Sequence, residues 1–450
     1  MSKDIETTKR IAEAVKDKGG KTYYVGGFVR DHLMGIDTKD IDIEVHGIFP
    51  SQLEEILDTV GERLSMGESF GIYSIKGYPI DIAMPRKEKQ KGTGHKDFDI
   101  FVDPFVGERN AALRRDFTIN ALMQNVLTGE ILDFFGGRED LHNKIIRHVN
   151  NDTFAEDALR VLRAAQFAAR FNFTVADETV RLCRDIKLSS LPKERIMGEM
   201  QKALLKADKP SVFFETLRQM NRLDEWFKEL KDLIDVPQNP KYHAEGDVWT
   251  HTMMVLDEAA AYRARVSNPL AFMLSALTHD MGKAVCTETV DGEIRSYLHE
   301  IKGVPIAKEF LCRLTNTTET IRYALNLTEL HMRPNMLAAN NSSVKATNKM
   351  FDCAMDPEAL TFIAMADEKG RISQKGEADN EAFFNERLSI YNEYMKRPYV
   401  MGRDLIEAGL TPDASFSKYL QYAHKLRLSG VRKEEALKQT LAYAREIKKW

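Results

Sequence analysis

A pair of aspartates on a short apolar strand constrains the fold of this chain more than any other feature. The stretch YYVGGFVRDHLMGIDTKDIDIEVHG spans residues 23–47, and within it Asp40 and Asp42 alternate with isoleucines. Residues i and i+2 of a strand point to the same face, so the two carboxylates project together while the isoleucines enter a core. The pattern predicts a strand with one buried face and one acidic face.

Adjacent carboxylates repel one another unless a cation lies between them. Mg²⁺ binds a few carboxylates together with substrate phosphates, and two such ions stabilise the attacking and leaving oxygens of a phosphoryl transfer. Asp81 in YPIDIAM is placed to supply a third carboxylate from a neighbouring strand. Gly26 and Gly27 would let backbone N–H groups approach a triphosphate, with Arg30 as a charged clamp. The alternative is a surface strand with solvated aspartates.

The hydrophobic patterns divide the chain into a mixed part and a helical part. From Thr22 to about Asp133, short alternating runs predict strands separated by helices. After Phe154 the apolar residues recur at helical spacing almost to the end. We therefore predict an α+β fold with a small mixed-sheet head followed by all-α segments. The predicted boundaries are a head at 1–150, a neck at 151–230, a third segment at 231–375 and a tail at 376–450.

Charge is distributed unevenly along the chain. The net charge of -4 argues against a general nucleic-acid binder. Residues 158–206 nevertheless carry ten basic against five acidic side chains, and residues 371–450 carry fifteen against eleven. A local basic stripe can bind RNA phosphates, although a solvated helix face is the alternative.

The cysteines and the N-terminal residues are typical of a protein that stays in the reducing cytoplasm. The four cysteines are scattered, which predicts reduced thiols, and the first ten residues are too polar for a signal peptide. No run of about 18 apolar residues exists to span a membrane. A cytoplasmic protein without membrane contact is predicted.

Several motifs, taken in order, resemble those of one enzyme family. GGFVRDHLMG followed by KDIDIEV is similar to the signature of the DNA-polymerase-β-like nucleotidyltransferases. More narrowly, it resembles the bacterial CCA-adding enzymes and their poly(A) polymerase relatives. Further family-like motifs are RRDFTINAL (114–122), DFFGGREDLHNKIIRHV (133–149), FAEDALRVLRAAQFAARF (154–171) and, more weakly, KERIMGEM (193–200).

The resemblance implies a function and a set of site residues. The function is template-independent addition of CCA to tRNA 3′ ends by two-metal nucleotidyl transfer, with tRNA, ATP and CTP as partners. Asp40 and Asp42 would hold Mg²⁺. The implied nucleotide-binding residues are Gly27, Arg30, Arg114 or Arg115, and Asp116 with Asn120 at the sugar. For Asn120 a cap or turn role is the alternative.

The EDALR segment suggests how two bases are selected. Asp157 and Arg160 lie three residues apart, which places them on one face of a helix. Cytosine and adenine carry an exocyclic amine beside a ring-nitrogen acceptor, where uracil and guanine carry carbonyls. The pair is therefore predicted to read C and A, at about 1–3 kcal/mol per contact. The alternative is an i,i+3 salt bridge. Arg163, one turn further on, is predicted to meet a phosphate.

The polar segment RKEKQKGTGHKDF at 86–98 is predicted to be a mobile loop. In the family that the chain resembles, a loop between the first two motifs accompanies the change from C addition to A addition. Its presence therefore favours addition of the full CCA sequence.

A second constellation lies in the helical part. His279 and Asp280, with His251 before them and Asp367 after them, resemble the HD phosphohydrolase domain. Two more histidines, His299 and His331, match those of dinuclear members, and His243 is a possible supporting group. These ligands suit Mn, Fe, Ni, Co or Zn ions, which would activate water against a phosphoester. For each histidine alone, ordinary packing is the alternative.

Three rival functions follow from the same motifs. The first is a poly(A) polymerase that uses ATP only. The second is an HD phosphohydrolase with an inactive head, which the intact Asp40 and Asp42 oppose. The third is a non-catalytic RNA-binding protein, which two complete metal constellations oppose.

Overall fold

The predicted acidic strand lies inside the main sheet of the first of two compact units. The computed structural model describes residues 3–64, 71–90, 98–373 and 379–447. The first unit contains Met1–Ala203 and Val212–Glu225, and the second contains Leu204–Ser211 and Trp226–Trp450. The ranges predicted as head and neck fall mainly in the first unit. The third segment and the tail fall in the second.

The first unit mixes strands and helices. Its strands are β1 (Lys21–Val25), β2 (Ile41–His46), β3 (Arg63–Leu64), β4 (Ile72–Ile75), β5 (Ile80–Ala83), β6 (Arg86–Gln90), β7 (Phe98–Val102), β8 (Met123–Asn125), β9 (Ile131–Leu132), β10 (Ile145–Ile146) and β11 (Thr174–Val175). Its helices are α1 (Lys3–Asp17), α2 (Gly27–Leu33), α3 (Pro50–Asp58), α4 (Glu108–Leu113), α5 (Gly137–His142), α6 (Asn151–Ala155), α7 (Leu159–Phe171), α8 (Asp177–Asp185), α9 (Lys193–Lys206, ending in the second unit) and α10 (Ser211–Gln219).

The main sheet is mixed, as predicted. Its strand order is β3-β4-β5-β2-β1-β8-β9, with β2 and β5 parallel and the other neighbours antiparallel. Alternate residues of β2, namely Ile41, Ile43 and Val45, enter a core that also contains Ile11 and Val15 of α1. Burying each such side chain contributes about 1.5–3 kcal/mol. This burial fixes the register that presents Asp42 on the opposite face.

Part of the predicted loop at 86–98 is ordered as strand. Strands β6 and β7 pair antiparallel, from Arg86 opposite Val102 to Gln90 opposite Phe98. Strand pairing depends on hydrogen bonds between backbone groups and does not require apolar side chains. A pattern of alternating apolar residues therefore does not reveal a lysine-rich strand such as β6. The tip of the predicted loop, residues 91–97, lies outside the described residues.

The second unit is mainly helical. Its helices are α11 (Lys228–Lys231), α12 (Val248–Ala260), α13 (Pro269–Thr278), α14 (Lys283–Cys286), α15 (His299–Leu314), α16 (Thr318–Leu330), α17 (Met332–Ala339), α18 (Val344–Cys353), α19 (Pro357–Lys369), α20 (Glu381–Lys396), α21 (Gly402–Glu407), α22 (Phe416–Leu428) and α23 (Lys433–Ile447). The hairpin of β12 (Thr287–Val290) with β13 (Glu293–Ser296) interrupts this helical segment, for which the sequence pattern predicts helices alone. Its turn places Asp291 and Gly292 at φ 52° and 77°, the geometry that Asp-Gly favours in hairpins.

Two separate clusters of helices organise this unit. Helices α12, α13, α15, α16 and α19 pack against one another. Of the predicted ligands, His251, His299 and Asp367 lie within these helices, and the other three directly follow the ends of α13 and α16. A separate core around Leu405, Tyr419 and Ala436 joins α21, α22 and α23 of the tail. The elements of the two units together confirm the α+β prediction.

Two further predictions from the sequence concern reduced cysteines and membrane-spanning segments. All four cysteines are free thiols. Within the described residues, no helix combines the length and the apolar character needed to cross a bilayer.

Candidate functional site

Three carboxylates gather where β2 and β5 run side by side. Asp42 of β2 and Asp81 of β5 are register partners on adjacent parallel strands. Asp40 immediately precedes β2 and is exposed, as is Asp81, whereas Asp42 is half-buried. The hydroxyl of Ser74 donates to Asp81 over 3.1 Å. The structure therefore brings the three predicted acids to one edge of the site.

The electrostatics of this edge favour a cation. Burial raises the pKa of Asp42, the charges of Asp81 and Asp40 raise it further, and Arg115 opposes the shift. Among the described residues, these three acids do not form a group whose ligand oxygens all lie within 4.8 Å of one another. Carboxylates that repel one another in this way fit the oxygen ligand set of Mg²⁺.

The glycine turn approaches the carboxylates closely. Gly26 has φ 63°, a conformation that other residues rarely adopt. A Cβ atom at this position would lie 3.2 Å from Nη1 of Arg115 and 3.7 Å from Oδ2 of Asp42. Gly27 begins α2 directly after the turn. The turn therefore leaves space beside Asp42 that any side chain would fill.

Arg30 is buried and bonded to protein groups. Its guanidinium donates to Asp31 over 2.8 Å and to the amide oxygen of Asn120 over 2.6 Å. It also stacks against the rings of Phe167 and Phe171. Burial lowers the pKa of Arg30, and Asp31 opposes this. The predicted clamp is thus part of the packing between α2 and α7.

Asn120 continues this network toward α7. Its amide donates to Asp116 over 2.9 Å, and Arg163 donates to the other Asp116 oxygen over 2.7 Å. Burial by itself would raise the pKa of Asp116, but Arg163 and Asn120 bring it below its usual value. Asp116 is therefore ionised, and the guanidinium of Arg163 hydrogen-bonds to it rather than standing free for a phosphate.

A cavity of about 280 Å³ is lined by Glu44 and Ala83, which are register partners two residues beyond Asp42 and Asp81. Its lining residues are Glu44, Ile72, Ala83, Met84, Arg86, Ala111, Arg114, Arg115 and Arg160. Arg160 donates to the backbone carbonyls of Thr153 and Arg114, the latter over 2.8 Å. The cluster of guanidinium groups makes this cavity suited to an anion such as a triphosphate.

The side chains of Asp157 and Arg160 do not pair in the described structure, although the Arg160 backbone N–H donates to the Asp157 carbonyl over 3.0 Å. Asp157 precedes the first residue of α7, accepts from the Leu159 N–H over 3.1 Å and pairs with Arg195 at 2.9 Å. Only Arg160 of the predicted base-reading pair lines the cavity. The i,i+3 salt bridge that was the alternative does not form either.

Some side chains of the head site were missed from the sequence. Glu44 lies on the same face of β2 as Asp42, and Glu156 pairs with Arg114 at 3.3 Å. For Glu44 the signal was present, because it is the next acid in the alternation that begins with Asp40 and Asp42. The partner of Arg114 lies 42 residues away and has no local signature.

The second unit gathers all six predicted ligands of the histidine and aspartate constellation. They form two converging groups, His251–His279–Asp367 and Asp280–His299–His331, with the ligand atoms of each group within 4.8 Å of one another. Asp280 joins the groups, because its Oδ2 is 3.3 Å from Nε2 of His279 and its Oδ1 is 3.1 Å from Nε2 of His299.

Backbone carbonyls fix the orientation of the four histidines. Each Nδ1 lies within hydrogen-bonding distance of a carbonyl oxygen, which leaves Nε2 directed toward the cluster. The pairs are His251 with Gly370 at 3.2 Å, His279 with Ala276 at 2.8 Å, His299 with Ser296 at 2.9 Å and His331 with Thr328 at 2.7 Å. This arrangement is typical of metal-ligating imidazoles.

The two buried aspartates of this cluster are ionised. Burial by itself would raise the pKa of both, but Lys283 and the neighbouring histidines lower the pKa of Asp280 well below the usual value. His251 and Arg371 do the same for Asp367. Lys283 Nζ lies 2.7 Å from Asp280. Both Asp280 oxygens and Nε2 of His279 are nevertheless buried without a well-directed hydrogen bond. These residues fit a metal centre.

Glu245 supports this cluster and was not predicted. One of its oxygens lies 2.8 Å from Nδ1 of His243 and 3.1 Å from Nδ1 of His251. The other accepts from the Ile372 N–H over 2.9 Å. Burial opposes ionisation, but the two histidines hold the pKa of Glu245 far below its usual value. Glu245 thus connects the predicted supporting histidine to a predicted ligand.

A cavity of about 350 Å³ opens onto the cluster. Its lining includes Asp280, Asp367 and His299 together with the cations of Lys283, Arg295 and Arg371. Arg295 belongs to the β12–β13 hairpin, which forms one wall. Positive charges around an acidic metal-type cluster suit an anionic substrate.

Comparison with known proteins gives a consistent result. Residues 22–147 match the family described as "Poly A polymerase head domain", and residues 172–234 match "Probable RNA and SrmB- binding site of polymerase A". The chain is 36% identical over 323 residues to the "Multifunctional CCA protein" of Actinobacillus pleuropneumoniae serotype 5b, covering 70% of this chain and 76% of the relative. It is 35% identical over 368 residues to the Vibrio parahaemolyticus protein of the same name, covering 80% and 87%.

The fold is also similar to solved structures. One is the Thermotoga maritima CCA-adding enzyme complexed with tRNA, with a TM-score of 0.65, 20% identity and coverage of 99% of this chain and 96% of that one. Another is the Bacillus stearothermophilus CCA-adding enzyme in complex with CTP, with a TM-score of 0.65, 21% identity and complete coverage of both chains.

Proposed function

The chain belongs to the family of CCA-adding tRNA nucleotidyltransferases, and we propose that Asp40, Asp42 and Asp81 form the catalytic centre of its head. The enzyme adds CCA to the 3′ ends of tRNA from CTP and ATP. In each step the tRNA 3′-oxygen forms a bond to the α-phosphorus of the nucleotide, and pyrophosphate leaves. The proposal concerns which residues carry out this transfer.

One observation carries this proposal. The acidic edge formed by β2 and β5 borders an arginine-lined cavity, so opposite charges stand side by side where a triphosphate would lie. The three carboxylates would hold Mg²⁺, which when bound neutralises charge on the attacking and leaving oxygens. Arg114 and Arg115 would bind the phosphates of the incoming nucleotide.

The buried network beside the cavity would shape the sugar site. Asp116, Asn120 and Arg30 are joined by hydrogen bonds, and Arg163 completes the network. We assign these four residues a positioning role beneath the nucleotide. The turn at Gly26 would give the triphosphate room beside Asp42.

Selection of cytosine and adenine would rest first on Arg160. Its guanidinium lines the cavity, and its hydrogen bonds to two carbonyls hold it in place. Asp157 would join it in reading the base only after leaving Arg195, an exposed pair that costs little to break.

Substitution of Asp40 tests the catalytic proposal. Asp40→Ala should abolish incorporation of both nucleotides while tRNA affinity changes less than two-fold, because Asp40 is exposed and packs in no core. Asp37→Asn, an exposed acid of the same loop, is the matched control and should retain full activity. Near-normal incorporation by Asp40→Ala would contradict the proposal.

A second candidate function has its own supporting observation. Four imidazoles present Nε2 to two buried aspartates, and a cavity lined by three cations opens onto them. His251, His279, Asp280, His299, His331 and Asp367 would hold Mn, Fe, Ni, Co or Zn ions, which when bound would activate water. Lys283, Arg295 and Arg371 would bind the phosphate of the substrate. The proposed activity is phosphoester hydrolysis by an HD-type domain at residues 231–375.

Metal analysis and a hydrolysis assay test this second function. The purified chain should contain transition metal by elemental analysis and should hydrolyse bis(p-nitrophenyl) phosphate or a 2′,3′-cyclic nucleotide after loading with Mn²⁺ or Ni²⁺. If it binds no transition metal, the domain has a structural role instead.

The remaining segments are proposed to contact tRNA. The neck at 151–230 and the tail at 376–450 contain an excess of basic side chains. These side chains would bind the phosphates of the tRNA, and the surface that carries them would recognise its shape. A poly(A) polymerase within the same superfamily is the remaining alternative for the head, and the choice of nucleotide distinguishes the two.

A further inference from the structure

A fourth acid lies on the catalytic face of β2. Glu44 follows Asp42 by two residues, so both side chains leave the same side of the strand. Unlike Asp40 and Asp81, Glu44 is buried, with 8% of its surface exposed. It also lines the arginine-rich cavity. A buried acid in a cavity suited to anions requires an explanation, because its charge repels a phosphate.

The contacts of Glu44 supply that explanation. One carboxylate oxygen lies 2.8 Å from Nε2 of His46, and the other accepts from Nη2 of Arg115 over 3.1 Å. Each oxygen is thus committed to one partner. These two contacts, together with its burial, give the Glu44 carboxylate a fixed orientation.

Arg115 depends on this contact. Among the described residues, the one hydrogen bond of its guanidinium goes to Glu44, and its Nε is buried without a partner. Its Nη1 lies beside the Gly26 turn, 3.2 Å from where a Cβ would stand, and its charge acts on Asp42. Arg115 therefore has donors available next to the acidic edge, and Glu44 is what aims them.

We propose that Glu44 is a positioning residue, which holds the Arg115 guanidinium against the Gly26 turn so that its open N–H groups meet the phosphates of the incoming nucleotide. The inference rests on the proposed function of Arg115. Without Glu44, the arginine would have to be ordered at each binding event, and that ordering lowers affinity for the nucleotide. Glu44 thus acts on binding of CTP and ATP rather than on tRNA.

A double-mutant cycle in the full-length enzyme tests this role. The variants are Glu44→Gln, Glu44→Ala, Arg115→Ala and the combination of Glu44→Gln with Arg115→Ala. We expect Glu44→Ala to raise KM for CTP and ATP about ten-fold, equivalent to ~1.4 kcal/mol, with a smaller rise for Glu44→Gln. The kcat value and the KM for tRNA should change less than three-fold. In the Arg115→Ala background, Glu44→Gln should have no further effect.

Glu108→Gln is the matched control. Glu108 lies in the same unit and also has two partners, Lys21 at 3.1 Å and Tyr23 at 2.9 Å, but it does not line the cavity. Loss of this acid should lower the melting temperature without changing nucleotide KM. If Glu44→Ala does not fold, the same comparison is made with Glu44→Gln alone.

The outcomes separate the inference from its premise. If Arg115→Ala raises nucleotide KM and both Glu44 variants leave it unchanged, the inference is overturned while the proposed function stands. Full additivity of the two substitutions would also overturn it, because Glu44 would then act independently of Arg115. If Arg115→Ala itself has no effect on nucleotide KM, the proposed role of Arg115 fails first.

Discussion

Replacing Asp42 with asparagine should destroy activity and stabilise the metal-free fold. Asn keeps the shape of the side chain and removes its charge. Loss of a metal-binding carboxylate removes several kcal/mol of transition-state stabilisation, and each 1.36 kcal/mol is a factor of ten in rate. Nucleotide incorporation should therefore fall at least about a thousand-fold.

The stability effect has the opposite sign and follows from the raised pKa of Asp42. A carboxyl whose pKa is raised by folding binds its proton more tightly in the folded state, so its ionisation at pH 7 destabilises the fold. Burial is the largest cause of the raised pKa, and the charge of Asp81 adds to it. Because Asp42 is only half-buried and Asp81 is exposed, solvent screens both effects, and together they amount to about 1 kcal/mol. In a unit of this size that corresponds to a rise in melting temperature of about 2–4 °C.

Thermal unfolding with and without metal measures this effect. In EDTA at pH 7, Asp42→Asn should melt higher than the unsubstituted chain, and the gain should vanish as the pH falls below the ordinary value of 3.8. Added Mg²⁺ should stabilise the unsubstituted chain and not the variant. Asp37→Asn should behave like the unsubstituted chain in every respect. A variant that melts lower in EDTA would contradict the predicted gain in stability. A variant that keeps a tenth of the activity would contradict the role of Asp42 as a metal ligand.

Four further predictions use other sites. Glu108→Gln should lower the melting temperature at pH 7, and the difference should shrink as pH falls from 4.5 toward 2, because the partners of this acid hold its folded pKa at about 2 against the effect of burial. Arg160→Ala should increase incorporation of UTP and GTP relative to CTP and ATP in primer-extension assays. If the relative use of the four nucleotides does not change, Arg160 serves only to hydrogen-bond the carbonyls of Thr153 and Arg114. The double substitution of His279 and Asp280 by alanine should remove phosphoesterase activity and spare CCA addition, with melting temperature recorded in parallel; a folded variant with full hydrolysis would exclude this site. Glu245→Gln should weaken transition-metal binding about 10–100-fold in a competition titration, since it would loosen an imidazole ligand, and unchanged affinity would contradict that role.

The elements of the head were predictable because local patterns dominate there. Alternation in DIDIEV identified β2 and its acidic face, and the isoleucines do enter the core. The β12–β13 hairpin was missed although Asp291-Gly292 is a strong local turn signal, because the flanking residues are mostly polar and none is fully buried. The strand at Arg86–Gln90 was missed because all five of its residues are charged or polar. Patterns of burial reveal only those strands that pack against a core.

The sequence predicted which residues belong to each site better than it predicted which of them contact one another. The sequence indicated that Asp157 and Arg160 act together, whereas Asp157 pairs with Arg195, 38 residues further along. Likewise, Glu44 meets Arg115 across 71 residues. Such pairs depend on how strands and helices pack, and no local spacing encodes them. The histidine cluster was recognisable because the order of its residues resembles that of HD phosphohydrolases, and no local spacing would have placed the six ligands together.

Incorporation of single nucleotides into defined tRNA ends distinguishes CCA addition from poly(A) synthesis. Three tRNA transcripts, ending in the bare discriminator base, in -C and in -CC, are each incubated with one of the four nucleotides and Mg²⁺. The first two transcripts should accept only CMP, and the third should accept a single AMP. Extension of all three by ATP alone, in runs of adenosines, would identify a poly(A) polymerase and exclude CCA addition.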